Sequence, residues 1–226
     1  VFMGDVGSLP LGAALGTVLE RVRQGLDLDA DPSLIDSALA AVPGPVTAGL
    51  RVHNGMDGFE SAVRVILGQQ VTVAAARTLV SRLVERFGTA IETPHADLTR
   101  CFPDAATLAG ASAEAIGTLG IVRQRVGALQ ALAREVDGGR IALHRGAPLA
   151  TTWDALRALP GVGEWTVQLI SMRALAWPDA FPATDIGVLN ALGTRDAKAV
   201  ALQSQAWRPW RSYAVMRLWQ SLETGT

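Results

Sequence analysis

A tight turn followed by an apolar helix marks the stretch of this sequence where residue types and spacing could support chemistry. It runs LPGVGEWTVQLISMRALAWPDAFPATDIG and spans residues 159–187. Pro160 fixes one backbone angle, while Gly161 and Gly163 allow positive φ values and a close approach to the backbone. Because a helix begins directly afterwards, its first amide N–H groups lack partners within the helix and, with the helix dipole, form an anion site. The stretch therefore predicts a place where a phosphate fits.

Spacing alone leaves a second interpretation of this stretch open. An ordinary turn between two helices also uses glycine for tightness, and short glycine motifs are common. Asp185 lies twenty positions after Trp165 and directly before a predicted helix, where an isolated aspartate ordinarily serves as an N-cap. Leu159 and Val162 are predicted to be core residues under both interpretations.

The composition restricts which partners and metal sites the chain could have. Its 226 residues are about half apolar, which predicts one or two globular domains, and no apolar run has membrane-spanning length. Cys101 is the only cysteine, which excludes an internal disulfide and a four-cysteine zinc or iron–sulfur site and fits a reducing, intracellular setting. The three histidines are scattered and lack metal-ligand spacing.

The charge of the chain is close to neutral, and its positive part is nearly all arginine. The net charge is −1 and Lys198 is the only lysine. A protein that binds nucleic acid without specificity is usually strongly basic. A DNA footprint on this chain would therefore be local, made by a few arginines and by backbone amides.

The rest of the sequence, which must position these residues, mostly shows the periodicity of helices. No strand-like alternation follows residue 10. We predict an all-α fold in which Asp31 and Asp57 cap two early helices. Loop-like residues at 137–150 could mark a boundary, although the helices on either side could share one core. The later helices are predicted near 104–109, 112–118, 121–136, 150–158, 163–176, 185–192, 195–206 and 210–222.

The first ten residues differ from the rest of the chain. Residues 1–10 contain two glycines and end in proline, which predicts a strand remnant or an arm without helix. The chain begins with Val1 rather than methionine, which predicts a fragment, a trimmed chain or a processed product.

Four stretches together resemble one family. LPGVGEWT resembles the hairpin of the helix–hairpin–helix DNA glycosylase superfamily, and FPATD, ending at Asp185, resembles the aspartate loop of that superfamily's signature. RVILGQQVTVAAA and WRPWRSYAVMRLW are similar to its alkylation-repair branch, the bacterial 3-methyladenine DNA glycosylase II family. The resemblance implies one helical domain over 11–226, with two interleaved subdomains, a cleft between them and the hairpin motif at 150–176.

The resemblance implies hydrolysis of the N-glycosidic bond of alkylated purines, of the 3-methyladenine and 7-methylguanine type, in double-stranded DNA. The damaged nucleotide leaves the base stack and enters a pocket, and its sugar passes through an oxocarbenium-like state. Asp185 is expected to stabilise that positive charge and to help position water. Trp165 lies where lyase-competent relatives carry a Schiff-base lysine. Since tryptophan cannot do that chemistry, we expect a monofunctional glycosylase that leaves an abasic site and requires no cofactor.

The resemblance also assigns residues to the base pocket. Trp165 and Trp219 are expected to be aromatic walls that attract a cationic purine by about 0.5 to 2 kcal/mol, and Leu169 is expected to lie beside them. The spacing of Trp219 from Val215 and Met216 is equally typical of core packing, and Leu169 could also be a core residue.

The remaining assignments concern DNA contacts at the turn. Gln70 matches the residue that fills the gap left by the everted nucleotide, although a solvent-facing loop glutamine is the alternative. The amides of Gly161 and Gly163 are expected to hold a phosphate, and the Thr166 hydroxyl is expected to assist. Main-chain carbonyls are expected to hold a monovalent cation at the matching positions Arg157, Leu159 and Val162.

Two other functions stay open, and the family pattern has one departure. A noncatalytic helix–hairpin–helix module could bind DNA or lesions without excision, and a bifunctional glycosylase/lyase is disfavoured by the lysine count. The family usually begins with a β-rich domain, of which residues 1–10 would be only a remnant. We expect a monomer without membrane contact, in the bacterial cytoplasm and associated with the nucleoid.

Overall fold

The computed structural model describes residues 11–44 and 47–223, which form twelve α-helices and one 3-10 helix. Within these residues the β pairing is a single isolated antiparallel bridge between Ala90 and Arg100, so the all-α prediction is confirmed. None of the described helices is long and apolar enough to cross a membrane. The predicted arm at residues 1–10 lies outside the described residues. The helices are α1 Leu11–Gly25, α2 Pro32–Ala38, α3 Gly58–Leu67, α4 Val73–Phe87, α5 Ala105–Gly110, α6 Ala113–Gly117, α7 Arg123–Asp137, α8 Leu149–Arg157, α9 Glu164–Arg173, α10 Ile186–Ala191, α11 Ala197–Gln203, the 3-10 helix Ser204–Trp207, and α12 Arg211–Glu223.

Side-chain caps explain where the early helices begin. The Asp31 carboxylate accepts hydrogen bonds from the backbone amides of Ser33 and Leu34 at 3.0 and 3.3 Å, with Pro32 at the first helical position. The Asp57 carboxylate accepts from the amide of Glu60 at 2.8 Å. Both predicted caps are confirmed, because a cap depends on residues three or fewer positions away.

Two of the predicted helices end earlier than their periodicity indicates. The helix expected at 163–176 ends at Arg173, because Ala176 adopts a positive φ of 51° and the amide of Trp177 turns back to the carbonyl of Ser171 at 2.9 Å. The helix expected at 195–206 ends at Gln203 and continues as the 3-10 turn Ser204–Trp207.

Two buried clusters of apolar side chains form the core, and the chain passes between them. The first cluster takes its residues from 59–174. The second combines residues from 35–52 with residues from 169–218, so that the N-terminal and C-terminal parts of the chain pack together. The loop at 137–150 does not divide the clusters, because the helices on both sides of it contribute to the first one. Helix α9 supplies residues to both clusters and joins them.

Buried polar contacts fasten the two ends of the chain within the second cluster. Arg217 of α12 is 2% exposed and donates hydrogen bonds to the carboxylate of Asp36 at 2.6 Å and to the carbonyl of Leu39 at 2.9 Å. The Tyr213 hydroxyl donates to the Asp27 carboxylate at 2.7 Å, and burial together with this bond raises the pKa of Tyr213. These contacts set the position of α12 against the residues that precede α3.

Replacing Arg217 with alanine tests this fastening. The change leaves the Asp36 carboxylate without its buried partner, so the free energy of unfolding should fall by about 3–5 kcal/mol in urea denaturation. Arg140→Ala is the matched control, because the Arg140–Glu135 pair is exposed and should contribute little to the free energy of unfolding. Equal effects of the two substitutions would contradict the structural role given to Arg217.

Candidate active site

The carboxylate of Asp185 lies at the junction of three helices and accepts three hydrogen bonds. The indole N–H of Trp165, in the first turn of α9, donates to Oδ2 at 2.9 Å. The indole N–H of Trp219, in α12, donates to Oδ1 at 2.9 Å. The amide of Val188 donates to Oδ1 at 3.0 Å, so Asp185 is also the N-cap of α10. The N-cap and the site residue predicted from the sequence are therefore one and the same carboxylate.

The local sequence explains how two bulky indoles can reach one carboxylate. Gly187 follows Asp185 by two positions, and a Cβ atom placed on it would lie 2.8 Å from Cδ1 and 2.9 Å from Nε1 of Trp219. It would also lie 3.1 Å from Oδ1 of Asp185. The absence of a side chain at position 187 thus leaves the room that the Trp219 indole occupies.

An open cavity of about 440 Å³ adjoins this carboxylate, on the side of α9 that faces α3. Trp165, Leu169 and Arg173 of α9 line it together with Asp185 and Trp219. Leu169 also belongs to the second core cluster, whereas Met172 is fully buried in that cluster and does not line the cavity. The three residues predicted for the base pocket therefore come together around Asp185 in a space large enough for a purine.

A second charged group lines the same cavity. The guanidinium of Arg173 lies over the ring of Trp219, 5.5 Å from its centroid. It donates to the carbonyl of His53 and, at 3.6 Å, to Sδ of Met216, and burial lowers the pKa of Arg173. Its described partners are an aromatic face, a carbonyl and a thioether, so none of them carries a negative charge.

The turn between α3 and α4 presents Gln70 to solvent. Gln70 is exposed and has a positive φ of 52°, which places it at the tip of the turn. The neighbouring Gln69 points the other way, and its Nε2 donates to the carbonyl of Gly161 at 3.0 Å and to Oγ1 of Thr166 at 2.9 Å. The guanidinium of Arg125 donates to the carbonyl of Gln69. The turn is thereby held beside the glycine hairpin.

The hairpin between α8 and α9 presents backbone to solvent. Gly161 is exposed and has a positive φ of 75°, whereas Gly163 has a negative φ and nothing lies within 4 Å of a Cβ placed on it. Open space at Gly163 allows another molecule to approach the first amides of α9. Thr166 is 2% exposed and its hydroxyl accepts from Gln69, so in this arrangement it faces the turn rather than the solvent.

A negative side chain at the start of α9 is offset by an arginine. The carboxylate of Glu164 accepts a hydrogen bond from Nε of Arg157 at 3.0 Å, and this bond lowers the pKa of Glu164. The pair reduces the repulsion that a free carboxylate would exert on an anion at the hairpin.

The hairpin also contains the three residues predicted to hold a monovalent cation. In the described part of the chain no group of histidine, cysteine or acidic side chains could hold a metal ion, so a cation here would depend on main-chain oxygens. The carbonyl of Leu159 accepts one bond, from the amide of Val162 at 3.2 Å, and keeps a second lone pair. The Leu159 carbonyl could therefore accept a monovalent cation, and the assignment of such an ion to the carbonyls of Arg157, Leu159 and Val162 stays a prediction.

Three residues of this region, Gln69, Arg125 and Arg173, were not predicted from the sequence. For Arg173 a sequence pattern was available. Arg173 lies eight positions after Trp165 and four after Leu169, which is the spacing of one helix face. Gln69 and Arg125 act through contacts with distant parts of the chain, which no local pattern indicates.

Residues 63–203, which include the turn, the hairpin and Asp185, match the family described as HhH-GPD superfamily base excision DNA repair protein. The chain belongs to this superfamily. Trp219 and Arg217 lie beyond the matched residues, so the second indole belongs to a part of the fold outside the common match.

Named relatives of this HhH-GPD chain differ in length. It is 39% identical over 218 residues to the probable bifunctional transcriptional activator/DNA repair enzyme AlkA of Mycobacterium tuberculosis, covering 92% of the chain and 43% of that protein. It is 29% identical over 201 residues to DNA-3-methyladenine glycosylase 2 of Escherichia coli, covering 89% of the chain and 70% of that protein. The chain thus spans less than half the length of the mycobacterial relative.

The fold has a solved counterpart. The 3-methyladenine DNA glycosylase of Archaeoglobus fulgidus superposes with a TM-score of 0.78 over 94% of this chain and 76% of its own, at 21% identity. This similarity shows that the two proteins share the helical fold.

Replacing Gly187 with alanine tests the packing around Asp185. The added methyl group displaces the Trp219 indole or the carboxylate, so the free energy of unfolding should fall by about 1–3 kcal/mol in urea denaturation. Gly127→Ala in α7 is the control, because nothing lies within 4 Å of its Cβ and the change should stabilise the helix by about 0.5–1 kcal/mol. A stable Gly187→Ala protein with an unmoved Trp219 would contradict the packing described here.

Proposed function

We propose that this chain is a monofunctional DNA glycosylase that hydrolyses the N-glycosidic bond of alkylated purines in double-stranded DNA. The observation that carries the proposal is the Asp185 carboxylate, held by two indole N–H groups beside a cavity of about 440 Å³. Membership of a base excision repair superfamily supports the reaction class. The name of the Escherichia coli relative, DNA-3-methyladenine glycosylase 2, supports alkylated purines as the substrate class.

The proposed reaction breaks the bond between the sugar and the damaged base. The electron pair of the C1′–N9 bond moves onto the purine, which leaves as a neutral base, and C1′ becomes part of a positively charged oxocarbenium ion. Asp185 faces that charge and stabilises it, because its carboxylate is already oriented by Trp165, Trp219 and Val188 and need not reorganise. A water oxygen then bonds to C1′, and the proton that this water loses passes through Asp185 to solvent.

Access to the sugar requires that the nucleotide leave the duplex. The exposed Gln70 fills the gap that is left, while the amides at Gly161 and Gly163 hold a phosphate next to the lesion. Gln69 connects these two contacts, since its side chain bonds the hairpin while its neighbour enters the DNA. A monovalent cation at the hairpin carbonyls would bridge protein and phosphate and take no part in the chemistry.

The proposal extends to partners and location. The chain acts on DNA as a monomer, requires no cofactor for hydrolysis, and works in the bacterial cytoplasm at the nucleoid. Positive charge for DNA binding comes from local arginines, because the net charge is −1. A noncatalytic lesion-binding module is the alternative, and a cavity-lining carboxylate favours the enzyme because such a module needs no anion close to phosphate.

Replacing Asp185 with asparagine tests the catalytic assignment. An asparagine has one acceptor oxygen, so its NH₂ group opposes one of the N–H donors and the negative charge is lost. Release of 7-methylguanine from methylated duplex DNA, measured by chromatography, should fall by about 10²- to 10³-fold.

Two other results of this comparison would change the assignment. Equal release by both proteins would show that Asp185 is not catalytic. Binding of the duplex without release by either protein would favour the noncatalytic module.

Borohydride trapping tests the monofunctional assignment. Lys198 lies exposed on α11 and does not line the cavity, and it is the only lysine of the chain. Because a Schiff base requires an amine at C1′, sodium borohydride should yield no covalent protein–DNA adduct on gels while free base is still released. A lyase-competent glycosylase serves as the positive control, and an adduct with this chain would overturn the assignment.

A further inference from the structure

Arg173 places a positive charge at the wall of the cavity, and the proposed function assigns no role to this charge. A guanidinium keeps its proton in proteins, and burial of an ion without a partner of opposite charge is costly. Arg173 is half-buried and its described hydrogen-bond partners are uncharged, so none of them cancels its positive charge. Arg64 also lines the cavity, but it is half exposed and paired with Glu60 at 2.6 Å.

The Trp219 indole lies between this cation and the carboxylate of Asp185. Its face is covered by the guanidinium of Arg173, and its N–H donates to Asp185. An aromatic ring is negative on its face and positive at its edge, so both contacts suit the charge distribution of one indole. The ring thereby keeps the two opposite charges at fixed, separate places along the same cavity.

Asp185 is the only carboxylate among the described residues that line the cavity. Since Asp185 faces the sugar in the proposed reaction, the base occupies the part of the cavity towards Arg173. A positive charge in this space is repelled from the base end and attracted to the sugar end.

We infer that Arg173 promotes bond cleavage by driving positive charge from an alkylated purine onto its sugar. This inference rests on the proposed function and deepens it. The N-alkylated purine is cationic while bonded to the sugar, and the electron pair of the C1′–N9 bond neutralises the base as it leaves. Repulsion by Arg173 is therefore present in the bound substrate and relieved in the transition state, while attraction by Asp185 grows.

This assignment predicts opposite effects on binding and on rate. Differential stabilisation of the transition state raises the rate of the chemical step, whereas repulsion in the bound substrate weakens affinity. Removing the charge of Arg173 should thus slow cleavage and tighten binding of the cationic lesion. A role in folding alone gives a different pattern, because a damaged pocket loses both.

The test uses Arg173→Met, which keeps the length of the side chain and its contact with Trp219, and Arg173→Gln as a second neutral variant. Single-turnover excision of 7-methylguanine from a duplex should slow by about tenfold in both. Combined with Asp185→Asn to prevent turnover, each should bind the lesion duplex, relative to undamaged duplex, about threefold more tightly than Asp185→Asn alone. Arg140→Gln removes an exposed positive charge that does not line the cavity, so it is the control for net charge and should change neither quantity.

The outcomes separate this inference from the function on which it rests. Release by the unaltered chain with unchanged rates in both Arg173 variants overturns the inference alone. A fall of rate and affinity together, or failure of both variants to fold, assigns Arg173 to structure and also overturns it. Absence of release by the unaltered chain overturns the proposed function itself.

Discussion

Three N–H groups from three helices converge on the buried carboxylate of Asp185, and the arrangement of the second core cluster depends on this convergence. Trp165 comes from α9, Val188 from α10 and Trp219 from α12. A carboxylate that is 8% exposed is costly to bury without donors, so each helix must lie in its place for the others to be stable. The site is thus part of the packing, and the bare backbone at Gly187 is what permits it.

Helix α9 connects the proposed catalytic site with the proposed DNA contacts, because its two ends lie at different parts of the site. Its first amides open onto the hairpin, its first turn carries Trp165, and its last residue is Arg173. Seven of its residues are buried and it contributes to both core clusters, so it cannot shift without disturbing each of them. The bond from Gln69 to Gly161 extends this rigidity to the turn that carries Gln70, so Gln70, the glycine hairpin and the Asp185 carboxylate are held in fixed relative positions.

Whether a feature can be predicted from the sequence depends on how many positions along the chain separate the residues that interact. Helix starts at Asp31 and Asp57 were predictable because caps are local, and the hairpin was recognisable because its glycines are adjacent. The role of Trp219 was ambiguous because the residue both packs against the second core and lines the cavity, which periodicity cannot separate. The contacts of Gln69 with Gly161 and of Arg173 with His53 join residues 92 and 120 positions apart, so no local pattern indicates them.

The same distinction between local and averaged properties makes a net charge of −1 compatible with the proposed binding of DNA. Most of its described ion pairs cancel charge away from the site, whereas other arginines donate hydrogen bonds to uncharged groups. Arg125 and Arg173 do so near the site, as do Arg51, Arg82 and Arg100 elsewhere. Arg125 thus places a positive charge beside the Gln70 turn, and Arg173 places one in the cavity that it shares with the Asp185 carboxylate. The net charge counts every ion pair, including pairs that contribute nothing to DNA binding. The arginines that matter for binding are therefore those without a carboxylate partner. The arginines that form an ion pair with a carboxylate are Arg23, Arg64, Arg140, Arg145, Arg157, Arg208, Arg211 and Arg217.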